Sequence, residues 1–343
     1  MKVGIIGCGL MGTMHARTLA GFGDVKIDAV YNRTPVKAEK LAAEVGAVVC
    51  RSMEELLERD LDAVWVATPD HLHVEPAVAV LEAGKHLFLE KALATSVEDG
   101  LKIVEAAAKR PDLVAMVGYP LRFDPCYRKM KEILSGPDVG RVAQAWSIRA
   151  HFIDPKTRVY DKYRDEYYDP PSFYFDEATG KGPIFSHASH DYDMFHWLCG
   201  EIESVFAYGG TYILPPGSVN DGFTVALRFK DGGVASVSTP WVTRVEYDFV
   251  GVATENLTVV NNNNEVRVKR AEGPEERITF TENDMWTRMN RHFIECVRNK
   301  QRPLVTLADG LRAIAVSEAA FRALKSRKEV AVEVPALPQV AAS

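Results

Sequence analysis

Short apolar runs alternate with helix-like segments over the first third of the chain. Residues 63–67 form a continuous apolar run, which is typical of a strand buried on both faces of a sheet. Similar strand-like runs, separated by segments with helical periodicity, begin at Lys2, Val25, Ala47, His86 and Leu113. Strands that alternate with helices build a parallel sheet covered by helices. The pattern therefore predicts a doubly wound, Rossmann-type α/β domain over residues 1–120.

The hydrophobic pattern changes after residue 121, where long segments carry apolar residues at alternate positions. Turn-forming clusters at 230–233 and 261–264 separate these segments, and helix-like segments return at 285–299 and 307–326. We therefore expect residues 121–343 to form a substrate-binding α+β domain with a large, open, mostly antiparallel sheet. Because a second copy of the chain commonly covers an open face of that size, we expect a homodimer or homotetramer formed through this sheet.

The bulk composition is that of an ordinary globular protein: of 343 residues, 47% are hydrophobic and 26% are charged. A net charge of −6 provides no general attraction to nucleic acids or acidic membranes, so neither is an expected partner. The five cysteines form no CxxC pair, which indicates reduced thiols rather than a disulfide framework. With no signal-peptide pattern and no apolar stretch long enough to span a membrane, the sequence predicts a cytoplasmic protein.

A glycine-rich turn follows the first strand-like run. Gly7 suits a sharp turn from strand to helix, Gly9 lets a diphosphate approach the backbone, and Gly12 allows the helix to pack closely on the strand. Leu10 and Met11 begin the predicted helix, whose free N–H groups bind anions. The same spacing also occurs in plain tight turns, but the order of strand, turn and helix favours a dinucleotide-binding site.

The end of the second strand-like run bears on which dinucleotide binds. NAD sites usually have Asp or Glu here to accept hydrogen bonds from the ribose 2′-OH, whereas a 2′-phosphate prefers a positive charge. This chain has Asn32, Arg33 and Thr34 at that place. We therefore predict NADP as the preferred cofactor and NAD as the alternative, while Arg33 as a plain solvated side chain stays open.

Ligands of doubly wound sheets bind beyond the carboxyl ends of the strands, so chemistry is expected there. These positions hold Thr68 and Pro69, then Glu90 and Lys91, then the segment 119–122. A partly desolvated lysine beside an oxidised nicotinamide ring can exchange a proton with a substrate hydroxyl, which makes Lys91 the candidate acid/base. A surface pair of Glu90 and Lys91 explains the same residues equally well.

Motifs along nearly the whole chain resemble those of the Gfo/Idh/MocA family, named for glucose-fructose oxidoreductase, inositol dehydrogenase and a rhizopine-catabolism protein. The matching segments are 7–12 with His15, 67–69 with His73, 84–86 with Glu90 and Lys91, 118–123, 182–200, 302–304 and 309–311. The resemblance implies an NAD(P)-dependent dehydrogenase or reductase that acts on a CH–OH group of a sugar or cyclic polyol.

The resemblance also implies roles for individual residues. Lys91 takes the part of the catalytic acid/base. Ser186, His190 and Asp193 occupy the positions of an acidic residue, a histidine and a second acid on one helix, where residues four apart share a face. His190 is then a second catalytic, proton-handling group or an anchor for the reacting hydroxyl, and a packed structural histidine is the alternative.

The motifs and the resemblance together define the expected contacts. Those with the cofactor are Gly7, Gly9, Leu10, Met11, Gly12, Asn32, Arg33, Thr34, Thr68, Pro69, His73, Glu90 and Lys91. Those with the substrate are Lys91, Tyr119, Arg122, Tyr163, Arg164, Ser186, His187 and His190. Tyr163 and Arg164 belong to a long segment, 158–174, whose composition suits a lid or an oligomer contact. We expect no metal site, because His71, His73 and the segment 187–193 offer no complete ligand set with zinc-like spacing.

Three positions depart from the family pattern. Ala92 stands where proline usually follows the lysine, Pro120 replaces a common asparagine, and Ser186 replaces the usual aspartate. Either His187 or His190 compensates for the lost carboxylate, or the substrate differs. Two other functions therefore stay open: an enzyme that keeps its nucleotide tightly bound and rearranges or cleaves glycosides through transient oxidation, and a non-catalytic NADP-binding sensor.

Overall fold

The structure is a computed structural model that describes residues 1–161, 166–262 and 264–338. Its helices are α1 (Leu10–Ala20), α2 (Pro35–Val45), α3 (Met53–Leu57), α4 (Val74–Glu82), α5 (Val97–Ala108), α6 (Pro125–Leu134), α7 (Ser189–Cys199), α8 (Met285–Asn299) and α9 (Leu307–Ser326). Its strands are β1 (Lys2–Ile6), β2 (Lys26–Tyr31), β3 (Val48–Val49), β4 (Ala63–Val66), β5 (His86–Glu90), β6 (Ala115–Gly118), β7 (Val142–Phe152), β8 (Val159–Asp161), β9 (Glu166–Tyr168), β10 (Ile202–Gly210), β11 (Gly222–Phe229), β12 (Val234–Ser238), β13 (Val242–Thr254), β14 (Leu257–Asn262), β15 (Glu265–Arg270), β16 (Glu276–Thr279) and β17 (Val330–Ala331). Single 3₁₀ turns lie at Asp70–Leu72, Pro120–Phe123 and Ser172–Phe175.

The chain divides into two compact units. The first contains Met1–Pro120, Asp284–Leu311 and the segment that starts at Pro335; the second contains Leu121–Asn283 and Arg312–Val334. The break after residue 120 falls where the sequence pattern changes. The predicted second domain, residues 121–343, differs from the observed second unit, because α8 belongs to the first unit. The roles assigned to the two domains stay predictions.

The first unit is built on a six-stranded parallel sheet with the strand order β3-β2-β1-β4-β5-β6. Every residue of the central strand β4 is buried, as expected for a strand covered on both faces. The chain builds the sheet outward from β1 in one direction and then from β4 in the other, and such a switch point opens a crevice at the carboxyl ends of the strands. The predicted doubly wound Rossmann sheet is confirmed.

Helix α8 comes from the far end of the sequence and packs against α1 within the first unit. Arg291 and Arg298 lie seven residues apart on one helix face, and both bind the Asp24 carboxylate. On the buried side, the Phe293 ring packs edge-on against Trp65, with 5.0 Å between the centroids. An ion-pair cluster and an aromatic contact therefore attach α8 to the first unit.

The second unit is built on a nine-stranded sheet with the order β16-β15-β14-β13-β7-β12-β11-β10-β17. β7 and β12 run parallel and the other neighbours are antiparallel. In β11 every second residue is buried, and α6 and α7 pack on the sheet. The predicted mostly antiparallel sheet is confirmed.

The elements of the second unit that differ from the sequence pattern include β12, β15 and α6. The pattern predicts one strand over 234–242, but β12 ends at Ser238 because Pro240 lacks the N–H that a ladder needs. β15 escapes prediction because only Val266 and Val268 alternate with charged residues. α6 also escapes it, although Asp124 accepts the Cys126 N–H at 2.7 Å and so caps a helix that begins with proline.

Candidate active site

The glycine turn after β1 has the geometry that a dinucleotide-binding turn requires. Gly7 has a φ of +97°, and a Cβ there would lie 2.5 Å from the Ala67 carbonyl oxygen. A Cβ on Gly12 would lie 1.8 Å from the Gly7 carbonyl oxygen, so α1 approaches the turn this closely only without a side chain. Gly9 caps α1, and a Cβ there would meet nothing within 4 Å. The open space at Gly9, before the free N–H groups of α1, is therefore accessible to a diphosphate.

Asn32 ties the glycine turn to the end of β2. Its Oδ1 accepts the Cys8 N–H at 2.9 Å, and its Nδ2 donates to the Thr34 carbonyl oxygen at 2.9 Å. These two contacts use both ends of the Asn32 amide. Arg33 and Thr34 are exposed. The Arg33 guanidinium is therefore accessible to a ligand beside the glycine turn.

A cleft of about 230 Å³ opens beside this turn. Its walls are Cys8, Gly9, Leu10, Thr13, Arg17, Lys37, Lys40, Leu41 and Glu44. The Arg17 guanidinium donates to the Glu44 carboxylate at 2.6 Å, so Lys37 and Lys40 supply the surplus positive charge. Burial raises the pKa of the Cys8 thiol to about 12, which keeps Cys8 uncharged. The cleft therefore suits an anionic ligand next to the start of α1.

His73 joins the turns that follow β4 and β5. It is fully buried, and its Nδ1 and Nε2 lie 2.8 Å from the carbonyl oxygens of Ala92 and Thr68, respectively. Because carbonyl oxygens only accept, both contacts are hydrogen bonds only when both ring nitrogens carry protons. Both ring nitrogens of His73 therefore contact backbone carbonyl oxygens. These contacts hold in place the turns that carry Thr68, Pro69 and Lys91. Its predicted cofactor contact stays a prediction.

Lys91 follows β5 directly and is half-buried, which leaves it access to a ligand at the end of the strand. Glu90 is only 3% exposed. Its Oε1 lies 2.6 Å from His15 Nε2, and its Oε2 accepts the Lys91 backbone N–H at 3.2 Å. A surface pair of Glu90 and Lys91 is therefore wrong, since the carboxylate is buried in the first unit. The Lys91–Ala92 peptide bond is cis.

Asp70 lies in the turn after β4, and the sequence analysis missed it. It is 7% exposed, and within the described residues its Oδ2 has no hydrogen-bond partner. Burial raises the pKa of the Asp70 carboxyl, while the charges of Lys91 and His73 oppose that rise. Its position directly after Thr68 and Pro69, at the carboxyl end of a central strand, is the signal that points to it.

Tyr119 and Arg122 end up in different units. Tyr119, in the first, is 1% exposed. Arg122, in the second, donates from Nε at 3.0 Å and from Nη2 at 2.7 Å to the carboxylate of Asp193. Both partners are buried, and a bidentate pair of this kind fixes the guanidinium in one orientation. Arg122 and Asp193 therefore brace the second unit, and the substrate contact of Arg122 stays a prediction.

The start of α7 brings three predicted site residues together in the second unit. Ser186 is buried, and its hydroxyl donates to the Gly182 carbonyl oxygen at 3.2 Å. His187 Nδ1 accepts the Trp241 indole N–H at 2.9 Å, which places the remaining ring proton on Nε2. The His190 ring lies 6.3 Å from that of His187. A hydroxyl and two imidazoles thus stand where the family pattern has a carboxylate and one imidazole.

Asp191, next to His190, anchors α7 and was not predicted. It is fully buried and accepts hydrogen bonds from Ser147 at 2.5 Å, Thr239 at 2.8 Å and Arg149 at 3.2 Å. These partners lie more than forty positions away in the sequence. No local sequence pattern can reveal such a network.

Two predicted substrate contacts, Tyr163 and Arg164, lie outside the described residues. Across residues 1–161, 166–262 and 264–338, no three His, Cys, Asp or Glu side chains are grouped to hold a metal ion. In the same part of the chain, no helix has the length and apolar character needed to cross a membrane.

Two family models match the chain, one for each part of the sequence. Residues 1–119 match a model described as an oxidoreductase family with an NAD-binding Rossmann fold. Residues 127–264 match the model of the GFO/IDH/MocA C-terminal domain. The two matches follow the same order along the chain as the two predicted domains.

Similar proteins extend over nearly the full length of the chain. The myo-inositol 2-dehydrogenase of Thermotoga maritima is 26% identical over 348 residues, covering 97% of this chain and 99% of the relative. The scyllo-inositol 2-dehydrogenase (NAD(+)) of Bacillus subtilis is 26% identical over 354 residues, covering 97% of each. A levoglucosan dehydrogenase in complex with NADH has a TM-score of 0.86 and 23% identity, covering 97% of this chain and 99% of that one. At that identity, the structural likeness shows the fold alone.

Proposed function

Because the chain belongs to the Gfo/Idh/MocA family of oxidoreductases, we propose that it transfers hydride between a nicotinamide cofactor and a secondary hydroxyl or ketone of a sugar or cyclic polyol. The observation that carries the proposal is the position of Lys91. Lys91 is half-buried directly after the carboxyl end of β5, in the same unit as the open glycine turn. The relatives named above act on inositols, and the structural neighbour acts on levoglucosan.

A nicotinamide cofactor held beside the glycine turn would supply the hydride acceptor for the substrate carbon in this reaction. Lys91 accepts the hydroxyl proton at Nζ as the carbonyl forms, and returns a proton in the reverse direction. His190 orients the reacting hydroxyl or shares its proton. The glycine turn, which Asn32 ties to the end of β2, would hold the nucleotide, and the contacts of Glu90 and His73 fix the turn that carries Lys91.

Replacement of Lys91 by Met tests this role. K91M removes the amine while keeping a chain of similar length, so kcat is expected to fall by about 10²–10⁴-fold. Cofactor affinity, measured by nucleotide fluorescence or calorimetry, is expected to stay unchanged. The assay follows the reduced nicotinamide absorbance with sugars, inositols and their keto forms.

Other results of the K91M measurement and of the substrate assay would lead to different conclusions. Unchanged turnover in K91M contradicts the acid/base role of Lys91. Tight cofactor binding without turnover of any compound favours a non-catalytic sensor, in line with the Ser186 hydroxyl at the place of a carboxylate. A cofactor that copurifies and returns to its starting redox state favours the enzyme that rearranges or cleaves glycosides.

We also propose that NADP is preferred over NAD. Arg33 is exposed at the end of β2, Lys37 and Lys40 line the adjacent cleft, and the segment 32–34 contains no carboxylate to accept the 2′-OH of NAD. A 2′-phosphate would gain a charge-assisted hydrogen bond from Arg33. The names of the relatives include NAD(+) and NADH, so this chain is expected to differ from them in cofactor preference.

The preference predicts how R33A behaves. Loss of one charge-assisted hydrogen bond is expected to raise the Kd for NADP(H) by about tenfold or more, with little effect on NAD(H). Titration of both cofactors against the wild-type protein and R33A measures it. Tighter binding of NAD(H) than NADP(H) to the wild-type protein would contradict the proposal.

We propose that two or four copies assemble through the nine-stranded sheet. Large apolar side chains on its strands are exposed in the single chain, notably Tyr208 at 68%, Val245 at 73% and Val234 at 44%. A second copy of the chain is the occupant that we expect on this exposed sheet face, since most oligomers are symmetric assemblies of one chain. The five buried free cysteines support a reducing, cytoplasmic location.

A further inference from the structure

Four buried side chains from four elements meet behind the turn that carries Lys91. They are His15 of α1, Trp65 of β4, Glu90 of β5 and Asn290 of α8, and all belong to the first unit. The first two and Asn290 are fully buried, and Glu90 is 3% exposed. The Phe88 ring packs against His15 with 4.8 Å between centroids. In this apolar setting, an unpaired charge or polar group carries a large cost.

Hydrogen bonds fix the orientation of the Asn290 amide. The Trp65 indole N–H, which can only donate, lies 2.9 Å from Asn290 Oδ1. The Asn290 Nδ2 donates to the Trp286 carbonyl oxygen at 2.9 Å. Both contacts require the carbonyl end of the amide to face Trp65. The same Oδ1 lies 3.0 Å from His15 Nδ1. Because Oδ1 only accepts, His15 Nδ1 carries a proton.

The other ring nitrogen of His15 faces Glu90. Nε2 lies 2.6 Å from Glu90 Oε1, a distance that two lone pairs do not tolerate. One proton must therefore lie between them, either as His15⁺ with a carboxylate or as neutral His15 with a carboxylic acid. The pair is net neutral in both forms. Its two remaining polar atoms are also used, since Nδ1 donates to Asn290 and Oε2 accepts the Lys91 N–H.

We propose that His15 and Glu90 share one proton and form a positioning pair for Lys91. This proposal rests on the proposed function in assigning the acid/base role to Lys91. The shared proton removes the net negative charge that Glu90 would place next to Lys91, and it holds Oε2 where it accepts the Lys91 N–H. Asn290 completes the chain of contacts, so α8 supports the placement of Lys91 through His15 and Glu90.

The opposite side of the turn is held independently. The Ala92 carbonyl oxygen contacts His73 Nδ1, so the residues before and after Lys91 each have a buried histidine in support. Glu90 accepts the Lys91 N–H at the start of the turn, and His73 contacts the Ala92 carbonyl oxygen after it. Loss of either contact is expected to misplace the Lys91 amine, and a displacement of about 1 Å at a reacting group costs about 10²-fold in rate.

The protonation of His15 is measured without any substrate. In the full-length protein labelled with ¹⁵N-histidine, the wild-type His15 ring is expected to show a protonated Nδ1 and a strongly downfield proton at Nε2. H15N identifies the signals by their loss. E90Q keeps both hydrogen bonds, because the Gln amide donates to Nε2 and its oxygen accepts the Lys91 N–H. In E90Q the downfield proton is expected to vanish while Nδ1 stays protonated.

Kinetics then separate positioning from a general loss of structure. E90A removes the acceptor for the Lys91 N–H and is expected to lower kcat by about 10²-fold with little change in KM, whereas E90Q is expected to retain kcat within about tenfold. H86Q is the matched control. His86 lies on the same strand at its other end, where its Nδ1 accepts the Val114 N–H at 2.8 Å, so kcat should not change.

Two results would overturn the proposal. One is a wild-type His15 ring with an unprotonated Nδ1 or without the downfield proton. The other is E90A with wild-type kcat, or E90A and E90Q with equal losses. If the wild-type protein turns over no substrate, the proposed function fails while the ¹⁵N measurement still decides whether the shared proton exists.

Discussion

At the scale of single residues, the role of a side chain depends on contacts that its sequence neighbours do not reveal. Glu90 and Lys91 are adjacent in the sequence, yet Glu90 faces His15 inside the protein while Lys91 remains accessible. Arg122 carries the charge expected of a substrate contact, but its guanidinium is held by Asp193. Conversely, the glycine turn has the conformation that its spacing indicates, because Gly7 has a positive φ and a side chain on Gly12 would collide with the Gly7 carbonyl oxygen.

Substitution of Gly9 is expected to affect cofactor binding, whereas substitution of Gly12 is expected to affect the stability of the fold. In G9A, the new methyl enters open space, so the free energy of unfolding is expected to stay near the wild-type value while the Kd for the dinucleotide rises by about tenfold or more. In G12A, the methyl collides with the Gly7 carbonyl oxygen, so the protein itself is destabilised. Urea unfolding and cofactor titration of both variants separate the two effects. Normal cofactor affinity in G9A would contradict the assignment of this space to the diphosphate.

At the scale of elements, periodicity and capping residues decide most helices and strands. β4 and β5 are recognised by their apolar runs, and α5 begins after Ser96, whose hydroxyl accepts the Asp99 N–H at 3.1 Å. β15 was missed because only two apolar residues define it. α6 and α7 contact each other, and each contains one buried thiol, Cys126 or Cys199. Because a buried thiol resists ionisation, Cys126 and Cys199 make the free energy of unfolding depend on pH.

Burial raises the pKa of both Cys126 and Cys199 to about 12. An unfolded thiol ionises near pH 8.5, so above that pH the unfolded chain releases protons that the folded chain retains. The free energy of unfolding is therefore expected to fall as the pH rises from about 8 towards 12. Urea unfolding at pH 8 and 9.5 measures the change, and a C126A/C199A variant should show a flatter pH dependence. Rapid reaction of native Cys126 and Cys199 with a thiol reagent at pH 8 would contradict it.

At the scale of the whole molecule, the family and the two sheets were predicted correctly, whereas the division of the chain was not fully predicted. The resemblance to the Gfo/Idh/MocA family and the prediction of an oxidoreductase are confirmed by the matching family models. Helix α8 lies within the predicted second domain, residues 121–343, but it belongs to the first unit and supplies Asn290 to the cluster behind Lys91. The proposed assembly of two or four copies through the nine-stranded sheet is also a property of the whole molecule.

The sheet proposal predicts the behaviour of a charged variant. Y208E/V245E places two carboxylates on strands of the nine-stranded sheet, and a buried, unpaired charge opposes association. The variant is expected to be a monomer by light scattering, whereas the wild-type protein is a dimer or tetramer. V48E is the control, since Val48 is exposed on the edge strand β3 of the other sheet. A wild-type monomer, or an assembled Y208E/V245E protein, would contradict the proposal.

The sequence by itself determined the features that depend on local spacing. The glycine turn, the apolar parallel strands, the alternating strands of the second sheet and the position of Lys91 after β5 are all recognised from the pattern of residue types over short stretches of the chain. Only the tertiary structure decided the pairs His15–Glu90, His15–Asn290 and Arg122–Asp193, whose partners lie 75, 275 and 71 residues apart. A single sequence carries no period or turn signal for such separations, because a buried polar group selects its partner only after the surrounding elements have packed.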